Sequence, residues 1–472
     1  MSGLCMGIQL KKAGIDSFTI FEKADRVGGT WRDNRYPGVA CDVPSHLYSF
    51  SFELNPDWSR AYSPGFEIQE YCERCVETYG LGPHLRFGQE IAQLDFIDGV
   101  WRIRTTGGET HTADVVVSAL GGLHRPHVPA FPGLDAFAGV HFHSARWNSD
   151  HDLRGRNVAV IGSAASAIQI VPEIARETQR LFVFQRTPNW IVPRRDRVYS
   201  ARTKRLFRRI PGLARTYRAL IYATLESGFA AFRTGSFLSR FVERQCRRYL
   251  AASISDPELR RALTPTYPPG CKRLLISNDF YATLERNDVE LVTSGIERIA
   301  ENGIVTADGR AHEVDTIVFA TGFQPFDFLS PLEVTGRDGR TLSETWARGI
   351  EAHRTVAVPG FPNFFMLLGP NSGLGHNSVI VMIEAQVKYV LQCIRSLAQR
   401  RSGYLEARAE AHRRFNRGLQ DDMQKTIWTA GCKSWYMDET GRVFALWPRS
   451  TIRYRWEMRR PDLSEYDRGA AG

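Results

Sequence analysis

Two clusters of residues have the types and spacing that hold a dinucleotide. The clearer one is Gly162-Ser-Ala-Ala-Ser-Ala167, which follows the β-branched run Asn157-Val-Ala-Val-Ile161 and opens the apolar-periodic stretch 168–175. A strand, a glycine turn and a helix in that order let a pyrophosphate lie against the helix N-terminus, because glycine permits the tight bend and the close backbone approach. Ala164 stands where a middle glycine is usual, and adds a methyl on the phosphate side. The next strand, Leu181-Phe-Val-Phe184, ends in Gln185-Arg186-Thr187. An acid there would hold a ribose 2′-hydroxyl and select NAD. Arg186 offers a planar guanidinium to a 2′-phosphate, so NADPH is expected, with Gly162, Ser163, Ser166, Arg186 and Thr187 as its contacts. The plainer alternative for Arg186 is a surface arginine after a buried strand.

The other cluster lies at the start of the chain and is half a unit. Met1-Ser-Gly3 enters a helix that runs through Lys12, Gly14 ends it, and Phe18-Thr-Ile-Phe21 is the following strand. Glu22 closes that strand roughly 20 residues after the turn, where a ribose 2′-hydroxyl is held. A complete unit would carry a strand and two more glycines before Gly3, roughly 10 to 15 residues. A misplaced start is the cheapest reading of their absence, and the 472-residue form is expected to retain flavin poorly. Gly28-Gly-Thr-Trp31 then leads through Tyr36-Pro-Gly38 to Asp42, a spacing longer than an ordinary loop around one core aromatic.

The elements that must position these residues follow from composition and pattern. At 472 residues and 43% hydrophobic, the chain is too long for one small core and fits an α/β fold of two Rossmann-like dinucleotide-binding domains. Further strands at 113–119 and 314–322 each run into glycine and a Pro-bearing stretch, as chain crossings between domains often do. The formal charge of +10 is concentrated in arginines between Arg194 and Arg261, where helical spacing dominates, so a basic helical insert is expected.

The run from Gly28 to Asp42 resembles, position for position, the signature of type I Baeyer–Villiger monooxygenases, within the flavin-containing monooxygenase superfamily. Phe137-Ala-Gly139-Val-His-Phe-His143-Ser-Ala-Arg-Trp147 is similar to the second fingerprint of that family, and Trp147 points to the Baeyer–Villiger branch rather than to the N- and S-oxygenases. Asn148 departs from the usual Pro or Asp. The resemblance extends from Gly3 to about Arg460 and takes in Phe319-Ala-Thr-Gly-Phe323 and Gly369-Pro-Asn-Ser-Gly-Leu-Gly-His376. It implies an FAD domain in two pieces, 1–145 and 326–472. An NADPH domain at 150–196 and 264–325 lies between them, with the helical insert at 197–263. On the FAD side it implies Gly3, Glu22, Gly29, Thr30, Trp31, Asp42 and Tyr48. Arg273, in Cys271-Lys-Arg-Leu274, is implied as the active-site arginine, with Asp42 as the carboxylate that positions it and Lys272 as a second 2′-phosphate contact. The chemistry is coherent. Reduced flavin and O₂ give a C4a-peroxide that must stay anionic to attack a carbonyl, and a guanidinium stays charged at any relevant pH.

Ketone oxidation with FAD, NADPH and O₂, with sulfide oxidation beside it, is therefore the leading expectation. A flavin N/S-monooxygenase without ketone activity and a degenerate, non-catalytic nucleotide-binding flavoprotein are the alternatives. His143 reads as a structural hydrogen bond on the interdomain linker, Trp147 as packing, and His376 as either a ligand contact or a turn cap. Cys72-Glu-Arg-Cys75 sits mid-helix, where a redox pair lacks the helix N-terminus that lowers a thiol pKa, so both cysteines read as packing. The eight cysteines show no zinc spacing and no disulfide framework, no metal is expected, and a reducing cytoplasm fits. The basic insert reads as a solvated face beside the NADPH site rather than a membrane contact, and no nucleic-acid module is present.

Overall fold

The computed structural model describes residues 1–324, 329, 331–400, 403–431, 434–438 and 440–469. The first half-unit is α1 (Ser2–Lys12) and β1 (Ile20–Phe21), with Gly14 at φ 73° ending the helix as its sequence predicts. Next come α2 (Thr30–Asp33), α3 (Gly65–Thr78), β2 (Leu85–Arg86) and the antiparallel run β3 (Ile91–Ile97), β4 (Val100–Thr105) and β5 (Thr110–Ala113), followed by β6 (Val116–Ser118). The second half of the fold opens with β7 (Val140–His143), β8 (Asn157–Ile161), α4 (Ala167–Ile174), β9 (Arg180–Phe184) and β10 (Ile191–Val192). The insert is helical as expected: α5 (Ala201–Arg209), α6 (Leu213–Ser227), α7 (Phe237–Ser253) and α8 (Pro257–Ala262). The chain then forms β11 (Leu275–Ile276), α9 (Phe280–Leu284), β12 (Val289–Val292), the meander β13 (Ile296–Ala300), β14 (Gly303–Thr306), β15 (Ala311–Glu313), and β16 (Thr316–Phe319). It returns to the first domain through β17 (Glu333–Thr335), α10 (Leu342–Trp346), β18 (Phe364–Met366), α11 (Val379–Arg400), β19 (Tyr404–Ala407), α12 (Ala409–Met423), α13 (Thr451–Glu457) and β20 (Tyr466–Gly469).

The second sheet, of order β12-β9-β8-β16-β7, is parallel throughout and covered on both faces, which is why its strands read as continuous apolar runs. The side-chain period of two sorts them. Val158, Val160, Leu181 and Val183 pack with Ile168, Ile170 and Phe280 on the α4/α9 side. Ala159, Ile161, Phe182, Phe184 and Phe319 pack with Ile299 and Ile304 of the meander on the other.

One boundary needs correcting. The strand Val140–His143, assigned to the first domain, pairs parallel with β16 and is the edge of the second sheet. Its alternating His141 and His143 concealed it, because an edge strand needs apolar residues on one face only. The return at 325–326 lies outside the described residues, but β17 pairs with β3 and β18 with β6, so residues 333–366 do rejoin the first domain. The β1/β2 and β6/β18 pairs are two separate parallel ladders. No helix among the described residues is long and apolar enough to cross a membrane.

Candidate functional site

The Gly28–Asp42 run is built to be held between the two domains. Gly28 and Gly29 take φ 125° and 57°, a left-handed bend that only glycine adopts freely, and Gly29 leads into the single turn α2. Open space surrounds the Cα of Gly29, whereas a Cβ on Gly28 would strike the Gln69 side chain. Trp31 Nε1 donates to the Tyr48 hydroxyl at 3.3 Å, with the two rings edge to face, so the bend and the Ser45–Tyr48 loop fix one another. Gly38 has φ 77°, and a Cβ there would meet the Gln169 carbonyl oxygen of α4 at 2.7 Å. Tyr36 donates to Gln169 Oε1 at 3.0 Å, and Gln169 Nε2 returns a bond to the Ala40 carbonyl at 3.0 Å. The spacing of the run is thus a docking device against the second domain's helix, and it delivers Asp42 to the seam.

Arg273 meets Asp42 there. Its Nε donates to Asp42 Oδ2 at 2.6 Å and its Nη2 lies 2.6 Å from the same oxygen, with 35% and 30% of the two side chains exposed. The Asp42 carboxylate, only partly offset by burial, raises the guanidinium above its ordinary range. Tyr436 stands close enough to feel both charges, and burial pushes its phenol up to about 12. The Arg273 segment is clamped from both sides. β11 begins two residues later and pairs with β10, while Trp428 Nε1 donates to the Gly270 carbonyl at 3.0 Å. Gly270 takes φ 90° under the side chains of Ile427 and Phe232, which leave no room for a Cβ.

The nucleotide side gathers beside it. Gly162 has φ 115°, and a Cβ would collide with the Ala320 carbonyl at the end of β16, so glycine is required by packing as much as by any ligand. Ser163 Oγ reaches the Thr187 carbonyl at 3.4 Å, and Asn189 donates to the Ser163 carbonyl at 3.0 Å, which draws the two loops together. Ser166 precedes α4 and lies beside the Tyr36 hydroxyl. Burial, then the Arg186 guanidinium, lowers the Lys272 ammonium. The two cations are therefore close enough to repel one another.

Glu22 is where the first half-unit predicts it, but its Oε1 already accepts from the Ala24 amide at 3.0 Å and pairs with Arg32 at 3.0 Å. Arg32 is buried and also bonds Asp33. Gly3 lies in the first turn of α1, its Cα against Ala119 and Ile20, where a Cβ would make ordinary contact. Cys72 and Cys75 are free, buried and raised by burial. Cys271 is the exception to the expected absence of bridges: it is disulfide-bonded, immediately before Lys272. Among the described residues no cluster of His, Cys, Asp or Glu could hold a metal.

His143 is not on a free linker. It ends β7, its Nδ1 accepts the Ala145 amide at 3.0 Å, and burial lowers it to about 4. Trp147 packs edge to face on Phe142. His376 bonds Glu226 of α6 at 3.3 Å, so it is neither a turn cap nor free for a ligand at that nitrogen. Burial opposes the charge on Glu226, yet bonds from His376, Thr451 and Asn377 outweigh it and hold the carboxyl at about 2. Arg218, also on α6, donates to the His46 and Leu47 carbonyls at 2.9 and 2.8 Å. The sequence offered one unused signal for this network: Glu226 is the one acid on α6, a helix that otherwise carries only arginines among its charged residues.

The chain is similar to known proteins along nearly its whole length. It is 47% identical to a Baeyer–Villiger monooxygenase of Streptomyces coelicolor, with 98% of this chain and 90% of that protein aligned. It is 45% identical to a Baeyer–Villiger monooxygenase of Pseudomonas aeruginosa, over 98% of this chain and 89% of that one. Residues 2–211 match the pyridine nucleotide-disulphide oxidoreductase family. Its fold superposes on a crystal structure of OTEMO in complex with FAD and NADP with a TM-score of 0.89, at 25% identity, covering 99% of this chain and 97% of that one.

Proposed function

The chain belongs to the Baeyer–Villiger monooxygenase family, and from that premise we propose how its own residues carry the reaction. It is an FAD- and NADPH-dependent monooxygenase that inserts one oxygen atom of O₂ into a ketone. When bound, FAD supplies the oxygen activation and NADPH the reducing electrons. Arg273 holds a fixed positive charge where negative charge develops as oxygen is transferred to the carbonyl. Asp42 accepts from its Nε and so fixes which way the remaining N–H groups point. The observation that carries this reading is that pair, with one partner from each domain, joined at 2.6 Å beside the seam.

Gly29, Thr30, Trp31 and Tyr48 are proposed to line the flavin, with Gly3 and Glu22 toward its nucleotide end. The space open above Gly29 fits a flat ligand approaching the backbone. Gly162, Ser163, Ser166 and Thr187 would hold the NADPH pyrophosphate and ribose. Arg186 and Lys272 would take its 2′-phosphate, a dianion that relieves the repulsion between them. A thioether is proposed as a second substrate class and the cytoplasm as the setting; Cys5, Cys41 and Cys393 are free thiols, whereas Cys271 is bridged.

With FAD and NADPH added, Arg273→Ala is expected to reduce flavin at close to the parent rate and to lose ester formation from a cyclic ketone by about 100-fold or more. Asp42→Ala should lose less. Full ketone oxidation by Arg273→Ala, measured by product analysis, would sink the role.

A further inference from the structure

The exposed face of the helical insert does not look like plain solvated surface. Leu220 of α6 is 63% exposed, and Ile452 and Trp456 of α13 are 61% and 71% exposed. They form one patch. Ala223, a turn beyond Leu220, lines the same cleft between the two helices as Ile452, and Trp456 follows Ile452 by one turn. Tyr222 donates or accepts at Thr451 Oγ1, 2.9 Å away, and carries the Arg455 guanidinium over its ring, so the helices are locked together beneath the patch. Leu206 on α5 and Ile210 just after it are also exposed and precede α6. Single exposed leucines are ordinary, but adjoining aliphatics capped by an exposed tryptophan mark a contact surface.

The charge around the patch selects its partner. Arg202, Arg205, Arg209, Arg215 and Arg455 are exposed on the same three helices, whose exposed positions carry no carboxylate; Glu226 is buried and Glu457 is held by Arg449 and Arg453. A second copy of this chain would bring arginine against arginine across a two-fold axis, and the exposed Asp57 beside α5 is already taken up by Arg208. A nucleic acid would answer the arginines and leave Leu220, Ile452 and Trp456 without a role. A bilayer of anionic lipid answers both: guanidinium groups meet headgroup phosphates while short apolar side chains and an indole enter the interfacial layer.

We propose that α5, α6 and α13 dock the enzyme peripherally on an anionic lipid surface. The proposal does not depend on the catalytic roles given to Asp42 and Arg273. Co-sedimentation of the FAD-supplemented enzyme with vesicles is the test. Binding is expected to phosphatidylcholine vesicles containing phosphatidylglycerol, weakened by salt, and not to phosphatidylcholine alone. The combined variant Leu220→Ser, Ile452→Ser, Trp456→Ser should lose about tenfold or more in partition while its ketone oxidation in solution is unchanged, since all three side chains are exposed. Three results would overturn the proposal: no pelleting with either vesicle, equal pelleting of parent and variant, or a concentration-dependent dimer in analytical ultracentrifugation that the variant abolishes.

Discussion

Lys272 is the residue whose surroundings say most about the coenzyme. Burial and the Arg186 guanidinium both work against its charge, so in the free protein it is held at a disadvantage that only an anion removes. A charge-assisted hydrogen bond to phosphate contributes about 1.5 to 3 kcal/mol, or roughly 10- to 100-fold in affinity. Lys272→Met should therefore raise KM for NADPH by that factor and leave KM for NADH where it was. Arg186→Ala should do the same, and the double variant should cost less than the sum of the two, because each deletion relieves the other's repulsion. Steady-state kinetics with both coenzymes decide it; equal losses for NADPH and NADH would show that neither side chain reads the 2′-phosphate.

At the scale of elements, the glycine turns, the second sheet and the helical insert could all be read from the chain, because they rest on local rules: β-branched runs of period two, glycine where φ must be positive, helical spacing without strand signals. What could not be read depends on neighbours remote in sequence. The edge strand Val140–His143 shows itself only through its pairing with β16. The partner of His376 lies 150 residues away on α6. The Asp42–Arg273 pair was expected from a family signature, not from any spacing between the two. Trp428 belongs to the same category, since nothing near residue 428 announces that its indole holds the Gly270 carbonyl. Replacing it with phenylalanine keeps the aromatic packing on Phe232 but orphans a buried acceptor, which costs about 1 to 3 kcal/mol. Because Gly270 leads into Arg273, Trp428→Phe should also lower kcat for ketone oxidation several-fold without moving KM for NADPH. A fall in Tm with kcat intact would make Trp428 a stabilising residue only.

Across the whole molecule, charge is buried in two opposite ways, and the two separate on the pH axis. His46 lies inside a cage of Tyr199, Phe207 and Tyr217, and His143 sits at the end of β7; burial holds each at about 4. In the unfolded chain a histidine titrates near 6.5. The folded values are the lower ones, so between pH 6.5 and 4 the unfolded state binds the extra protons, and stability is complete above pH 6.5 and falls as the solution is acidified. Each histidine withdraws roughly 3 kcal/mol over that window. Glu226 and Glu465, held at about 2 by their bonds, act later: their contribution is present above about 4.3 and disappears between there and pH 2. Denaturant unfolding across this range should therefore show the first loss of stability well above the carboxylate range. His46→Leu removes one titrating group but leaves the backbone carbonyl that Arg218 uses, so between pH 6.5 and 4 its stability should fall less steeply, by close to one proton. An unaltered slope in that variant would mean that His46 is solvated enough to protonate in the folded enzyme, and that the early acid loss arises elsewhere.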